Sequence, residues 1–368
     1  MKQGWEYKKL GEVCEIYQPK TLSTDMLTKT GGYPVYGANG IIGYYNQYNH
    51  EEQEVLLTCR GATCGTVNIS KPYSWINGNA MVIHRKSEEM DFNFLKYQML
   101  SLDYSLIITG AAQPQITRQK LAPTKIKIPP KSTQLSIVSE LDKINELIRL
   151  KQEQLKDYDN LAQSIFYEMF GDPVENEKGW EVKKIGEIGS VERGAGISKK
   201  DFVEDGLPCI HYGQLHTILG ARTKKHYTSI PHDLLPKYKV AHTGDLVMAI
   251  TSEDVEGSCK STAWLGNYDV IVGSDAAILH HEQDGTFLSY YTMTKAFYNE
   301  KAKYAKGFKV THISTKEIEK ISVFLPPLPL QHLFAQRIEQ IERQKSAVQK
   351  SITDLETLLA SRMQYWFE

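Results

Sequence analysis

The sequence lacks long hydrophobic runs. No segment approaches the roughly 20 apolar residues that a membrane-spanning helix needs, and the first residues, MKQGWEYKKL, contain no apolar stretch resembling a signal peptide. The composition, 41% hydrophobic and 24% charged, is typical of a globular protein. We therefore expect a cytoplasmic protein without a membrane partner, and the length of 368 residues predicts two or three domains.

Cysteine is scarce, and the spacing of the cysteines does not indicate pairs. The odd count of five and the absence of a C-x-x-C string argue against a disulfide framework and a zinc site. The neighbouring histidines His280 and His281 do not suggest a metal site either, because adjacent residues of a strand point to opposite faces. We expect no metal and five free thiols: Cys14, Cys59, Cys64, Cys209 and Cys259.

Familiar catalytic motifs are also missing. The sequence contains no D/N-P-P-Y/F string of an adenine methyltransferase, no G-x-S-x-G elbow and no H-E-x-x-H helix. The string EGSCKST at 256–262 resembles the end of a phosphate-binding loop, but Cys259 stands where that loop needs glycine. These absences predict a protein that is not an enzyme.

A strong charge of one sign is absent as well. The net charge is -1, and residues 1–130 hold 14 Lys and Arg against 11 Asp and Glu. Nucleic-acid-binding domains often carry a basic patch or an alkaline isoelectric point. Any basic footprint must therefore come from the placement of a few cations.

An internal repeat is present. The string GWEYKKLGE at 4–12 returns as GWEVKKIGE at 179–187. A second pair, 110–130 and 307–327, shares an initial Gly, an Ile followed by Thr or Ser, and a closing Pro-Pro. A repeat on this scale predicts two similar units.

Each unit continues into a heptad pattern. The apolar positions alternate in steps of four and three over about five heptads, a period typical of a coiled coil. We expect the first helix to span about 134–169, with Ser132 or Thr133 as its N-cap, and Phe170-Gly171-Asp172-Pro173 to end it. The predicted seam residues are Ile137, Leu141, Ile144, Ile148, Leu155, Tyr158, Phe334, Ile338, Ile341, Val348, Ile352 and Leu355.

The fold class that follows is α/β. We predict two similar mixed α/β domains at 1–130 and 172–327, separated by an antiparallel two-helix coiled-coil spacer from 131–171 and 328–368, with pseudo-two-fold symmetry. Lys151 and Lys345 interrupt the seam and would help to set its register. The alternative is that each helix packs its apolar stripe on its own domain.

The ordered set of motifs resembles the DNA specificity subunit of type I restriction-modification systems. The resemblance covers essentially the whole chain: the repeated GWE strings, IPPKSTQ at 128–134, LPPLPLQ at 325–331, the GDLVMAITSED block and FGDP after the first helix. It implies two target recognition domains that each read one half of a bipartite double-stranded DNA site. It also implies a spacer on which methyltransferase (modification) subunits dock, and a restriction (motor nuclease) subunit that joins them. The resemblance places S-adenosylmethionine in the partner methyltransferase, with no cofactor in this chain.

The loops of both domains offer groups suited to reading bases. Asn and Gln can pair with adenine and Arg with guanine, and the segment 31–50 combines five tyrosines and three asparagines with no charged residue. Tyr, Asn and Gly are also ordinary residues of turns. The candidate DNA-binding residues are Tyr36, Asn39, Tyr44, Arg60, Thr63, Asn77, Asn79, Gln113, Gln115 and Arg118 in the first domain. Those of the second domain are Arg193, Lys199, Lys200, Tyr212, Gln214, His216, Ser252, Lys260, Lys309, Thr311 and His312.

Two other functions are compatible with the sequence. The chain could be a stand-alone or homodimeric DNA-binding protein, which would bind DNA alone in a sequence-specific, salt-sensitive way. It could also be a protein-interaction scaffold whose tyrosine-rich loops bind another protein. A neighbouring reading frame that encodes D/N-P-P-Y/F would favour the restriction-modification assignment.

Overall fold

A computed structural model describes residues 4–110, 113–232, 238–307 and 310–368. The chain forms two compact units. Unit 1 comprises residues 1–152 and 349–368, and unit 2 comprises residues 153–348. Both are mixed α/β, which confirms the predicted fold class. The finer division into four segments stays a prediction.

Two long helices contribute to both units. Helix α4 runs from Lys131 to Phe170, and helix α10 from Leu328 to Phe367. The other elements of unit 1 are β1 (Glu6–Lys9), α1 (Leu10–Val13), β2 (Cys14–Tyr17), β3 (Tyr33–Gly37), β4 (Gly40–Tyr45), β5 (Val55–Thr58), β6 (Val67–Ile69), β7 (Trp75–Ile76), β8 (Ala80–Arg85), α2 (Phe92–Ser101), α3 (Arg118–Leu121) and β9 (Lys125–Ile128).

Unit 2 repeats this order with additions. Its elements are β10 (Glu181–Lys184), α5 (Ile185–Ile188), β11 (Gly189–Arg193), β12 (Leu207–Ile210), α6 (Tyr212–Thr217), β13 (Arg222–Thr223), β14 (Thr228–Ile230), β15 (Lys239–Ala241), β16 (Leu246–Ala249), β17 (Thr251–Ser252), β18 (Ser261–Trp264), β19 (Val270–Val272), β20 (Ala276–His281), α7 (Gly285–Tyr291), α8 (Lys295–Ala302), β21 (Thr311–His312), α9 (Thr315–Ile318) and β22 (Ser322–Leu325).

Each unit is built on one larger sheet beside a smaller one. Unit 1 has sheets of order β2-β8-β5-β6 and β4-β3-β7, and unit 2 has sheets of order β11-β20-β16-β18-β13 and β14-β12-β19-β15. The central strands β5 and β16 are entirely buried. Strand β3 pairs with β7 in parallel, as β12 does with β19, so both units share one plan.

The repeated GWE strings form a closing strand pair in each unit. Strand β1 pairs antiparallel with β9, and β10 pairs in the same way with β22. The last glutamate of each string accepts a hydrogen bond from a backbone N–H. Lys9 N donates to Glu12, and Lys184 N donates to Glu187. The repeated strings thus join the start of each unit to the strand that leads into a long helix.

The long helices pack both on each other and on the sheets. In unit 1, Ile137 and Leu141 lie in the core with Phe94 and Phe367. In unit 2, Phe166 packs against Phe287 of α7 and Phe334 of α10, with ring centroids 5.8 and 5.6 Å apart. The alternative in which a helix packs on a globular core therefore applies at the helix ends.

In the middle of the helices the contacts are between helices. Within unit 2, Lys345 Nζ lies 2.7 Å from Asp159 Oδ1, whereas Phe166 meets Phe334, so the two segments run antiparallel. Of the predicted seam residues, Ile148, Leu155, Tyr158 and Leu355 are half-buried, and all the others are buried.

The predicted N-cap of the first helix is wrong. Ser132 and Thr133 lie inside helix α4, which begins at Lys131 directly after Pro129 and Pro130. The carbonyl of Pro130 accepts hydrogen bonds from the N–H groups of Thr133 and Gln134. Among the described helices, none combines the length and the apolar character that crossing a bilayer requires.

Candidate nucleic-acid interface

Both units bring a loop and a returning segment together at the end of their central strand. In unit 1, Ile116 N donates to Cys59 O at 3.0 Å, and Arg60 is paired with Gln115 in an antiparallel bridge. In unit 2, Ile313 N donates to Ile250 O at 3.0 Å, and Thr251 is paired with His312. Arg60 and Thr251 therefore occupy equivalent positions, as do Gln115 and His312.

A glycine with positive φ starts each returning segment. Gly110 has φ +87° and Gly307 has φ +120°, in the left-handed region that favours glycine. A Cβ at Gly110 would collide with the Gln113 carbonyl, and a Cβ at Gly307 would collide with that of Val310. The glycine shared by the two repeats is thus required by backbone geometry.

A third segment completes the arrangement. Cys59 N donates to Asn79 O at 3.4 Å in unit 1, and Ile250 N donates to Asp275 O at 3.0 Å in unit 2. Asn79 and Asp275 are equivalent, and both directly precede the second central strand, β8 or β20. Three segments that are distant in sequence therefore meet at the same place in each unit.

The exposed groups at this place in unit 1 are mostly amides and one cation. Asn39, Arg60, Thr63, Asn79, Gln113 and Gln115 are exposed. Thr63 Oγ1 donates to Asn39 Oδ1 at 2.7 Å, which joins the turn between β3 and β4 to the loop after β5. The Arg60 side chain makes no hydrogen bond or ion pair with any residue that the structure describes. This surface can offer donors and acceptors to base edges.

Other candidates of unit 1 have structural contacts. Asn77 is buried, and its Oδ1 accepts hydrogen bonds from Leu22 N at 2.7 Å and Trp75 Nε1 at 3.2 Å. Tyr36 is buried, and its hydroxyl accepts from Lys71 N at 3.1 Å. The half-buried Tyr44 lies in β4, and the exposed Arg118 begins helix α3. Asn77 and Tyr36 thus stabilise the loops through buried hydrogen bonds.

Unit 2 has a cleft of about 1150 Å³ at the equivalent place. Four candidate residues line it: Tyr212, His216, Ser252 and Lys260. Lys260 Nζ donates to His216 O at 3.1 Å, and His216 Nε2 is hydrogen-bonded to Thr251 O at 3.1 Å. These bonds join helix α6 to the loop after β16.

The remaining candidates of unit 2 lie around the cleft or inside the fold. Arg193 Nε donates to Ser274 O at 2.8 Å. Gln214 is buried, with Oε1 accepting from His211 N at 2.9 Å and Nε2 donating to Thr228 Oγ1 at 3.2 Å. Lys199 and Lys200 are exposed, Thr311 is buried in β21, His312 is half-buried beside it, and Lys309 lies outside the described residues.

Several residues of these surfaces are not among the candidates predicted from the sequence. Gln18 is exposed, and its Nε2 donates to Gly78 O at 2.8 Å. Thr251, Asp254 and Glu256 line the cleft of unit 2 together with Lys301. Thr251 is equivalent to Arg60, but their offset of 191 differs from the offsets of 175 and 197 between the repeated strings, so the repeat does not identify Thr251. The acidic residues carry no signal in the sequence either.

Burial perturbs two groups beside the cleft. It lowers the pKa of Lys301, and it raises the pKa of the Cys259 thiol to about 12. Among the described residues, no group of three or more His, Cys, Asp and Glu side chains is placed to hold a metal ion.

Comparison with known proteins agrees with this geometry. The model of the type I restriction modification DNA specificity domain matches residues 2–157 and again 177–357. The MjaVIII specificity subunit of Methanocaldococcus jannaschii is 22% identical, over 97% of this chain and 92% of its own. A putative type I restriction enzyme specificity subunit of Haemophilus influenzae is also 22% identical, over 94% and 90%.

Solved structures show the same fold. The S subunit of a type I restriction-modification system from M. genitalium superimposes with a TM-score of 0.57 at 13% identity, over 99% of this chain and 96% of that one. A chain from a study of complex assembly and conformational transition of the type I system gives 0.61 at 19% identity, over 98% and 97%. The chain belongs to the type I restriction-modification DNA specificity family, as a non-catalytic subunit that confers DNA sequence specificity.

Proposed function

We propose that each unit reads one half of a bipartite, asymmetric double-stranded DNA target. The observation that carries this proposal is the equivalence of Arg60 and Gln115 with Thr251 and His312. The same backbone frame presents different side chains in the two units, as two readers of different half-sites would require. Phosphate contacts fix a protein on DNA, whereas base contacts distinguish sequences.

Each unit reads with the members of its surface that are exposed or only half-buried. In unit 1 these are Asn39, Arg60, Asn79 and Gln115, which can bond to purine edges. In unit 2 they are Tyr212, His216, Ser252, Lys260 and His312, at the cleft or on the strand beside it. The buried Asn77 and Gln214 hold loops in place.

The partners supply the chemistry. We propose that the paired helices form a coiled-coil spacer on which methyltransferase subunits dock, with S-adenosylmethionine bound in those subunits and a restriction subunit joining them in the cytoplasm. Support comes from the membership in a restriction-modification family and from one structural neighbour, which was solved in a study of assembly of the type I system. Partners that contact DNA phosphates would also explain how a chain with net charge -1 acts on DNA.

The test is to map adenine methylation in cells that express the chain with its neighbouring methyltransferase. A split motif that appears only when this chain is present supports the proposal. Exchanging residues 1–130 for those of a relative should then change one half of the motif and preserve the other. A stable complex that adds no methylation would contradict the proposal and favour a protein-interaction scaffold.

A further inference from the structure

Lys301 is a buried lysine beside the cleft of unit 2. It lies near the end of helix α8, and only 4% of its surface is exposed. Its Nζ donates to Glu256 O at 2.7 Å and to Ser258 O at 2.6 Å. Burying an ammonium group is costly unless it is hydrogen-bonded, so these two carbonyls stabilise Lys301 in the position where it lies.

The two carbonyls belong to the loop that carries Ser252 and Lys260. Within this loop, Asp254 Oδ1 accepts from Gly257 N at 2.7 Å. Cys259 follows with φ +55°, a conformation that residues other than glycine rarely adopt. A backbone with such a turn persists only when its surroundings hold it. Lys301 binds the carbonyls of Glu256 and Ser258, which lie on both sides of Gly257 and immediately before Cys259.

The equivalent loop of unit 1 is shorter, and among the described residues no buried cation closes it. Residues 59–66 separate β5 from β6, whereas residues 250–260 separate β16 from β18. The short loop turns through its own backbone, with Cys64 N donating to Gly61 O at 3.0 Å and Thr66 N to Thr63 O at 3.1 Å. The additional residues of unit 2 include the stretch that Lys301 holds.

We propose that Lys301 is a positioning residue, which fixes the loop 252–260 so that Ser252 and Lys260 face the DNA and unit 2 discriminates between bases. This inference rests on the proposed function. Lys301 acts through the loop: its Nζ is occupied by two carbonyls, while Lys260 Nζ extends from the same loop to His216 O.

The decisive change is Lys301→Met, which keeps the length of the side chain and removes its donors. The matched control is Lys303→Met, because Lys303 lies on the same helical segment, is exposed and pairs only with Glu300 among the described residues. Lys301→Arg, which keeps the charge and the donors, is the rescue variant. Should Lys301→Met fail to fold, Lys301→Leu, which also removes the donors, replaces it with the same expectations.

Two measurements on the full chain test the inference. The first is amide hydrogen exchange of residues 250–262 without DNA, which we expect to be about tenfold faster in Lys301→Met. The second, in the complex with the methyltransferase, is the ratio of affinities for the matched target and for targets with one altered base pair in the half read by unit 2. We expect this ratio to fall about tenfold, with discrimination in the other half unchanged and wild-type behaviour in Lys303→Met.

The outcomes distinguish a failure of the role of Lys301 from a failure of the proposed function. Hydrogen exchange in Lys301→Met that is as slow as in the wild type would overturn the role of Lys301. Faster exchange with unchanged discrimination between bases would do the same, and both results would leave the proposed function standing. A wild-type complex that does not discriminate between bases in that half would refute the proposed function itself. Loss of discrimination with restoration by Lys301→Arg would establish the positioning role.

Discussion

Gln134 and Gln331, 197 positions apart, share two equivalent hydrogen bonds at the start of the two long helices. Gln134 Oε1 accepts from Asp91 N at 2.8 Å, and Gln331 Oε1 accepts from Asp284 N at 3.0 Å. Each Nε2 donates to the carbonyl of a preceding proline, Pro129 at 3.0 Å or Pro326 at 2.8 Å. Both glutamines are buried. The glutamine that follows each Pro-Pro therefore links a long helix to the residue that caps helix α2 or α7.

Replacing Gln331 with Leu should destabilise unit 2. The change keeps the volume but leaves the Asp284 N–H and the Pro326 carbonyl without their partner. A buried group without a partner costs about 1–3 kcal/mol, and we expect a loss of that size in the free energy of unfolding. Denaturant unfolding measures it. Gln340→Leu, on an exposed position of α10, is the control, and equal stability of both variants would contradict the prediction.

Gly110→Ala should damage one half of the recognition function. Alanine is strained at φ +87°, and its Cβ would collide with the Gln113 carbonyl, which displaces the segment that carries Gln115. We expect a loss of stability of about 1 kcal/mol or more and a methylation motif that is degenerate only in the half read by unit 1. Gly196→Ala is the control, because a Cβ there meets no atom within 4 Å. An unchanged motif would show that the geometry of this segment is unimportant.

The long helices were predictable because their pattern is local. A heptad period extends over about five heptads, and the expected bounds of 134–169 differ from those of α4 by three residues at the start and one at the end. The cap was wrong because Pro129 and Pro130 already end the preceding strand and place Lys131 in the first turn. Ser132 and Thr133 therefore had no helix end to cap.

The surfaces were only partly predictable because they depend on distant contacts. The offset between the repeats grows from 175 at the GWE strings to 191 at Arg60 and Thr251, and to 197 at Gln115 and His312. A single alignment offset could not pair these residues. Residue type also does not separate Asn79, which is exposed, from Asn77, whose amide is bonded inside the fold. Burial decides between reading and supporting roles, and burial is a property of the fold.

The stability of unit 1 should fall as the pH decreases from about 6.5 to about 4. Burial, with a smaller contribution from the charge of His84, lowers the pKa of His50 from 6.5 to about 4. Between these values the unfolded chain binds a proton that the folded chain does not, so acid favours unfolding. His50 Nε2 is hydrogen-bonded to the Tyr17 hydroxyl at 2.8 Å.

The measurement is the Tm at pH 7 and at pH 4.5. His50→Gln should reduce the decrease in Tm between the two values, because glutamine does not titrate. His232→Gln, which changes an exposed histidine, is the control and should follow the wild type. A decrease in Tm that is the same in His50→Gln as in the wild type would rule out this contribution.

Arg60→Ala should relax the reading of one base pair in the half-site of unit 1. The guanidinium is exposed, lacks a partner among the described residues, and is presented beside Gln115 by a bridge in the backbone. Losing a bidentate contact to guanine costs about 1–3 kcal/mol of binding and reduces specificity at that position alone. Competition binding of the methyltransferase complex to targets altered at each base pair measures both effects.

Lys125→Ala removes an exposed cation from β9, outside the proposed surface, and should leave the pattern of preference unchanged. If Arg60 contacts only phosphate, its removal will weaken binding to all targets equally, and if affinity and preference both persist, Arg60 is not part of the interface.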